Sequence, residues 1–332
     1  MIATIDLWSR LAKPLEEFKR TVVEADRAAL KAGSLPAEAA DQLSSAVTAL
    51  PALLADVLAD AATPQEQAML GARTQAELLP YLLLSRNAER WYAKPRGYAG
   101  DFLSIAWIYG DEAAGVGRIG PALDRGFLHV SACRAVYNRR RLLADEISCG
   151  LAEQPDRPLQ VTSLACGPAQ ELLDVFAALD DPGAIAATLV DVDALALDHV
   201  RARVAGTPVD TQLTFIQENL VYAAAGRRPL PVADQDLVYS IGLIDYFPDR
   251  IVVALMNLAH RMLRPGGRLI LGNFHPANGT KAFMDHVLAW PLIHRDEADL
   301  DRLYAASAFG RASTSIRFEA ERINLFAECV KQ

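Results

Sequence analysis

Residues 159–193 read LQVTSLACGPAQELLDVFAALDDPGAIAATLVDVD. Leu159–Leu164 and Ala187–Val192 are short apolar runs, and the segment between them opens on a Gly-Pro turn and holds a helical pattern through Leu179. Short apolar runs joined by a helix spell strand–helix–strand, a connection that makes neighbouring strands parallel. The alternation continues. A helix reaches about Val204, Leu213–Gln217 is a third strand and Leu237–Ser240 a fourth. A helix over Val252–Leu263 then leads through Arg264-Pro265-Gly266-Gly267 to a fifth strand, Arg268–Asn273. This order predicts an α/β, doubly wound, mostly parallel sheet covered on both faces. Trp290 and the tail Phe318–Val330 read as a strand pair that completes it.

Upstream the period changes. Leu7, Leu11, Leu15 and Phe18 form one helical stripe, Ser34-Leu35-Pro36 and Thr63-Pro64 are helix starts, and no alternating strand pattern precedes residue 150. Residues 91–128 mix aromatics with glycines too irregularly for one helix, so the aromatics are expected to be pinned by packing. Residues 129–150 return to a helical pattern. Two domains follow: a helical N-terminal domain with an aromatic lid over 1–128, and the sheet domain over 129–332.

The 332 residues are 52% apolar and 22% charged, the balance of a globular chain with a real core. A net charge of −8 is the wrong sign for gripping phosphate backbones, so nucleic acid is not an expected partner. The one dense basic cluster, Arg139-Arg140-Arg141, is expected to fan its charges around a helix surface. Cys133, Cys149, Cys166 and Cys329 show no paired spacing, so no metal is expected. Asp6, Glu16 and Glu17 interrupt the N-terminus where a signal peptide needs an apolar core, and no stretch reads as a membrane span. The expectation is a reduced, cytoplasmic protein with no membrane partner and an oligomeric state that the sequence leaves open.

Three strand ends carry candidate chemistry. The first strand-to-helix turn, S-L-A-C-G-P-A-Q-E (163–171), brings backbone close to a ligand at Ala165 and Gly167. Asp191 closes the second strand, where an acidic side chain can accept both hydroxyl protons of a ribose; Asp193 reads as a helix cap. Asn219, after the third strand, offers a carbonyl and an amide to an adenine edge, or serves the turn itself.

In this order, with D-L-V-Y-S-I-G-L-I-D-Y-F (236–247) and L-R-P-G-G-R-L-I-L-G-N-F (263–274), the chain resembles class I S-adenosylmethionine-dependent methyltransferases over residues ~130–332. The resemblance implies a Rossmann-like, seven-stranded core and S-adenosylmethionine as cofactor. It also implies cofactor contacts at Tyr98, Ala165, Gly167, Asp191, Asn219, Leu220 and Ser240. Ser163 stands where that family usually has an acid, and two of its glycines are alanines here. K-P-R-G-Y-A-G-D-F (94–102), C-R-A-V-Y-N-R-R (133–140), S-L-A-C-G-P-A and G-N-F-H-P-A-N-G-T-K-A-F-M (272–284) are similar to the bacterial 3-hydroxypalmitate methyl ester biosynthesis group. Azetidine-2-carboxylate synthases, which cyclise S-adenosylmethionine and release methylthioadenosine, share that broad architecture.

The resemblance implies methyl transfer to a small molecule, such as a carboxylate, in bacterial specialised metabolism. Intramolecular cyclisation of the cofactor is the alternative, motivated by Tyr137 standing where the methyl ester group suggests another basic residue. A non-catalytic S-adenosylmethionine-binding protein is the third. Either chemistry needs groups near a sulfonium, and Tyr98 and Tyr137 are the candidates unless they only pack. Asn138 can bind the methionine amine or carboxylate. Arg134 can pair with a carboxylate, or lie on the helix surface. His275, at the end of the fifth strand, is a candidate base or a structural histidine. Asp245 and Tyr246 should border the substrate cavity.

Overall fold

The computed structural model describes residues 2–154 and 156–332, which form two compact units. The first comprises the chain up to Arg134 together with Ala277–Pro291, and the second comprises Ala135–Pro276 with Leu292–Gln332.

Six helices build most of the first unit: α1 (Ile2–Ala32), α2 (Ala37–Ala59), α3 (Pro64–Leu82), α4 (Arg86–Ala93), α5 (Phe102–Gly110) and α6 (Gly120–Leu128). The α1 stripe read from the sequence is buried at Leu7, Leu11, Leu15 and Phe18 and continues through Val22, Ala25 and Ala29. Thr63 caps α3 by accepting from the Glu66 amide, with Pro64 in the first turn. Helix α2 is apolar enough in composition to cross a membrane, closer to a span than the sequence reading allowed. Its Leu43, Val47, Leu50, Leu54, Val57 and Leu58 are buried in the unit.

The irregular aromatic stretch is pinned from within this unit. Trp91 is buried against Phe127 and Trp290, with ring centroids 6.4 and 6.3 Å away, and Phe127 meets Phe283 at 6.1 Å. Trp290 thus belongs to the helical core and to no strand, which corrects the sequence reading. Long-range ring packing of this kind leaves no periodic mark. The fully buried Asp124 gathers the bends around it, accepting from Ser85 Oγ (2.5 Å), Asn87 N (2.8 Å), Asn87 Nδ2 (2.9 Å) and Ala114 N (2.9 Å). Arg90 grips Asp101 with two bonds, and Asp101 in turn caps α5.

The second unit takes up α7 (Ser131–Glu153) after its first turn, then β1 (Leu159–Leu164), α8 (Gln170–Ala178), β2 (Ile185–Asp191), α9 (Ala194–Val204), β3 (Leu213–Gln217) and α10 (Leu220–Ala224). Next come β4 (Gln235–Ile241), α11 (Asp249–Met262) and β5 (Leu263–Phe274). The short α12 (Lys281–His286) lies in the segment assigned to the first unit. The chain closes with α13 (Glu297–Ala306), β6 (Ser315–Phe318) and β7 (Asn324–Val330).

The seven strands run in the order β3-β2-β1-β4-β5-β7-β6, parallel through β5 and antiparallel at β7 and β6. Helices α7, α8 and α9 bury one face through Leu143, Ile147, Leu172, Val175, Leu197 and Val200. Helices α10, α11 and α13 bury the other through Ala223, Leu255, Met256 and Leu300. The sheet is doubly wound because each central strand feeds both cores: Leu237 and Tyr239 point to the first and Val238 to the second. The Arg264-Pro265-Gly266-Gly267 segment, read as a turn, lies within β5. Leu263 pairs with Gln235, and the register shifts before Arg268 pairs with Leu237. Glycine is required at 267, where a Cβ would sit 2.5 Å from the Gln235 carbonyl oxygen.

Between β1 and β4 the direction of winding reverses. In open α/β sheets that reversal leaves a crevice at the carboxyl ends of the strands, where ligands bind.

Candidate functional site

The turn leaving β1 is built from alternating left-handed residues. Ala165 has φ 55°, Gly167 52° and Ala169 46°. Only glycine adopts this region freely, so the two alanines hold a conformation that costs each about 1 kcal/mol. Nothing lies within 4 Å of a Cβ placed on Gly167, so its outer face is open.

Asp191, at the carboxyl end of β2 and 5% exposed, ties this turn down. Its Oδ2 accepts from Gly167 N and its Oδ1 from Asp193 N, each at 2.9 Å. Burial pushes its pKa above the ordinary carboxylate value, while the Asp193 and Gly167 amides pull it back. A carboxylate offers about four lone-pair positions, so two amides leave capacity for a further pair of donors. Asp193 caps α9 through Leu195 N, as expected. Asn219 is also a cap: its Oδ1 accepts from Val221 N (2.9 Å) and Tyr222 N (3.2 Å). Leu220 is buried in the sheet core, and Ser240 Oγ donates to the Leu164 carbonyl at 2.7 Å, tying β4 to β1.

Three apolar side chains that the sequence reading missed are exposed along this edge. They are Val192 after β2 (55%), Leu195 in the first turn of α9 (51%) and Tyr222 in α10 (45%). Val192 and Leu195 follow the carboxyl end of β2 and Tyr222 that of β3, as Gly167 follows that of β1. The signal available in the sequence was their position, immediately after strand ends.

The turn after β4 is buried. Asp245, 1% exposed, accepts from Phe274 N at 2.7 Å, and its own carbonyl accepts from Ile293 N. Asp245 therefore braces the crevice wall, and Tyr246 beside it is half-buried. Desolvation raises the Asp245 pKa to about 6; the Phe274 amide and the charges of Arg139 and Arg295 oppose that rise. The unfolded carboxyl ionises near 3.8, so the native state holds the proton over a window in which the unfolded chain has lost it. The associated stability is fully present below pH about 4 and is lost as pH rises through about 6. Over some two pH units, at about 1.36 kcal/mol each, it amounts to about 3 kcal/mol. Asp245→Asn should flatten this slope. Denaturant unfolding at several pH values checks it, and an unchanged slope in the variant would refute the assignment.

Asn138 and His275 meet the same hairpin turn between β6 and β7. Asn138 Nδ2 donates to Glu319 Oε2 at 3.3 Å, and the buried Glu319 also accepts from the amides of Glu321, Ile323 and Asn324. His275 N donates to the Ile323 carbonyl, its ring meets Phe318 edge-on at 5.7 Å, and its Nε2 lies 3.2 Å from Glu297 Oε2. Tyr137, on α7 next to Asn138, is 47% exposed. Tyr98, half-buried, and Arg134, exposed, lie in the first unit.

The basic cluster departs from its expected surface position. Arg141 is exposed and Arg140 pairs with Asp174, but Arg139 is only 5% exposed. Its place explains this. Arg139 falls three residues after Val136 and four before Leu143, on the stripe that α7 buries, and that spacing was readable. Near it, Tyr239 donates to Glu171 Oε1 at 2.9 Å, and both groups are buried.

Residues 161–267 match the methyltransferase domain family. The 27-O-demethylrifamycin SV methyltransferase of Amycolatopsis mediterranei (strain S699) is 29% identical over 115 residues, which are 35% of this chain and 38% of that protein. The chain thus matches well under half the length of that curated relative. A structure described as a possible exported protein from Bordetella parapertussis superposes with a TM-score of 0.62 at 21% identity, covering 87% of this chain and 96% of its own. Magnesium protoporphyrin IX methyltransferase from Synechocystis PCC 6803 with bound S-adenosylmethionine superposes with a TM-score of 0.46 at 16% identity, covering 73% and 95%. The second unit has a Rossmann-like, methyltransferase-type fold, and the match to the methyltransferase domain family covers residues 161–267 of it.

Proposed function

We propose that the protein transfers the methyl group of S-adenosylmethionine to a small-molecule acceptor, a carboxylate in bacterial specialised metabolism, in the cytoplasm. The observation that carries this reading is Asp191 bound to the Gly167 turn inside the segment that matches the methyltransferase domain. The residues present fit the cofactor. Asp191 keeps acceptor capacity for ribose hydroxyls, Gly167 leaves its outer face open, and Val192, Leu195 and Tyr222 offer apolar surface to a purine. The relative from Amycolatopsis is named for methylating 27-O-demethylrifamycin SV, which supports a small acceptor.

When bound, the cofactor supplies a methyl group activated by its sulfonium. The chain supplies alignment and the exclusion of water. A carboxylate attacks as an anion and needs no base. For an acceptor that still carries a proton, His275, with its Nε2 beside Glu297, is the candidate base.

The test is to incubate the purified protein with S-adenosylmethionine and a panel of carboxylic acids and to read the products by mass spectrometry. S-adenosylhomocysteine appearing together with a methyl ester supports the reading. Methylthioadenosine with azetidine-2-carboxylate, formed with no acceptor added, overturns it in favour of cyclisation.

A further inference from the structure

Two buried side chains of the helical unit present polar atoms that no protein group meets. Trp91 is 1% exposed, and its indole Nε1, the only polar atom of the side chain, has no acceptor. Asn87 is fully buried, and its Oδ1 has no donor. An unmet polar atom in a core costs more than an ordinary hydrogen bond returns, so native interiors satisfy such atoms with protein or with ordered water. The Asn87 amide cannot cure this by turning over. Its Nδ2 donates to Asp124 Oδ2 at 2.9 Å, and a flip would press Oδ1 against that carboxylate.

The two atoms belong to neighbouring layers of one helix contact. Asn87 and Trp91 are four residues apart on α4, and both face α6. Asn87 meets Asp124, and Trp91 meets Phe127, three residues further along α6. Side chains so spaced leave a helix about 5–6 Å apart, the span of two hydrogen bonds in series through a single oxygen. The indole nitrogen only donates and the amide oxygen only accepts, so whatever joins them must accept at one end and donate at the other. A bare anion has nothing to donate to Oδ1, and a metal cation has no lone pair for the indole N–H. Size narrows the choice further. Trp91 has Phe127 and Trp290 at 6.4 and 6.3 Å, and Phe127 has Phe283 at 6.1 Å, all distances of direct ring contact. Rings packed in this way leave no room between them for an organic ligand of several atoms. Water is small enough and has both functions. A buried water makes about three hydrogen bonds, and Ser104 Oγ, also fully buried and unmet, is a hydroxyl able to complete the set. Asp101 holds Ser104 to α4, its Oδ1 accepting from Arg90 Nε at 3.0 Å and from Ser104 N at 2.9 Å.

We propose that the helical unit contains a binding site for one internal water, which accepts from Trp91 Nε1 and donates to Asn87 Oδ1. The water fixes the orientation of the indole, and with it the ring against which Trp290 packs. It also carries the polar network around Asp124 one layer further, into the aromatic cluster.

A crystal structure of the full chain that resolves ordered water tests the assignment. The expected result is one isolated density peak about 2.7–3.2 Å from both Trp91 Nε1 and Asn87 Oδ1. An interlayer with no peak, a protein acceptor on the indole N–H, or a peak that touches only one of the two atoms overturns the proposal. Density too large for a single oxygen overturns it as well and assigns the site to a different ligand. Trp91→Phe keeps an aromatic ring but removes the N–H, so its structure should lose the peak. A peak retained there at wild-type strength shows that the indole does not hold the water, and the proposal falls. If Trp91→Phe does not fold, the wild-type density alone decides.

Discussion

Asp191→Ala should weaken binding of S-adenosylhomocysteine by about 100-fold, close to 3 kcal/mol. On the proposed reading the carboxylate does two things at once. It receives ribose hydroxyls, and it holds the Gly167 and Asp193 amides that shape the turn under the ligand. Alanine removes both functions and leaves two amides without their acceptor. Asp191→Asn is the informative control, because its amide would point N–H groups at one of the two backbone donors. It should retain part of the affinity. Calorimetric titration of the three proteins reads the result directly. An Asp191→Ala protein with wild-type affinity would remove the ribose from this strand end.

The second large effect falls in the helical unit. Asp124→Ala should destabilise it by about 4 kcal/mol, because four donors lose their acceptor and the Ser85 and Asn87 side chains among them are buried. A water entering the vacated volume has two lone pairs and so accepts from about two of the four donors. Asp124→Asn should also be costly, since both carboxylate oxygens already face donors. Urea unfolding measures the difference, and a loss below about 1 kcal/mol would show that the bends around Ser85 and Ala114 are held by other contacts.

Local pattern carried the sheet well. Leu159–Leu164 and Leu213–Gln217 have the bounds read from sequence, although only β1 is buried along nearly its whole length and β3, at the sheet edge, exposes Thr214 and Gln217. Thr63-Pro64 marked the start of α3 for an equally local reason. Cofactor-edge residues were legible where they close a strand, as Asp191 does. The sequence could also name Asn219, but its Oδ1 caps α10, a use that adenine binding and capping share in residue type. What escaped depended on distant partners or on unfavourable conformations. Trp290 needs Trp91, some 200 residues earlier, to show its role. Ala165 and Ala169 occupy glycine's part of the backbone map, which their residue type does not announce. Arg139 was hidden by its neighbours, because three consecutive arginines look like a solvated face until the helical phase is followed from Val136 to Leu143.

The assignment of Ala277–Pro291 to the helical unit has a consequence for how this architecture could be inherited or dissected. The chain leaves the sheet unit after β5, contributes Phe283 to the ring of Phe127 and Trp290 to that of Trp91, and returns before α13. An N-terminal deletion ending near residue 134 is therefore not a clean excision. It would strip both aromatics of their mates and leave a greasy loop on whatever remained. The leading helices and the internal segment are one module sewn into the polypeptide at two places, so exchange between related chains has to move both pieces together.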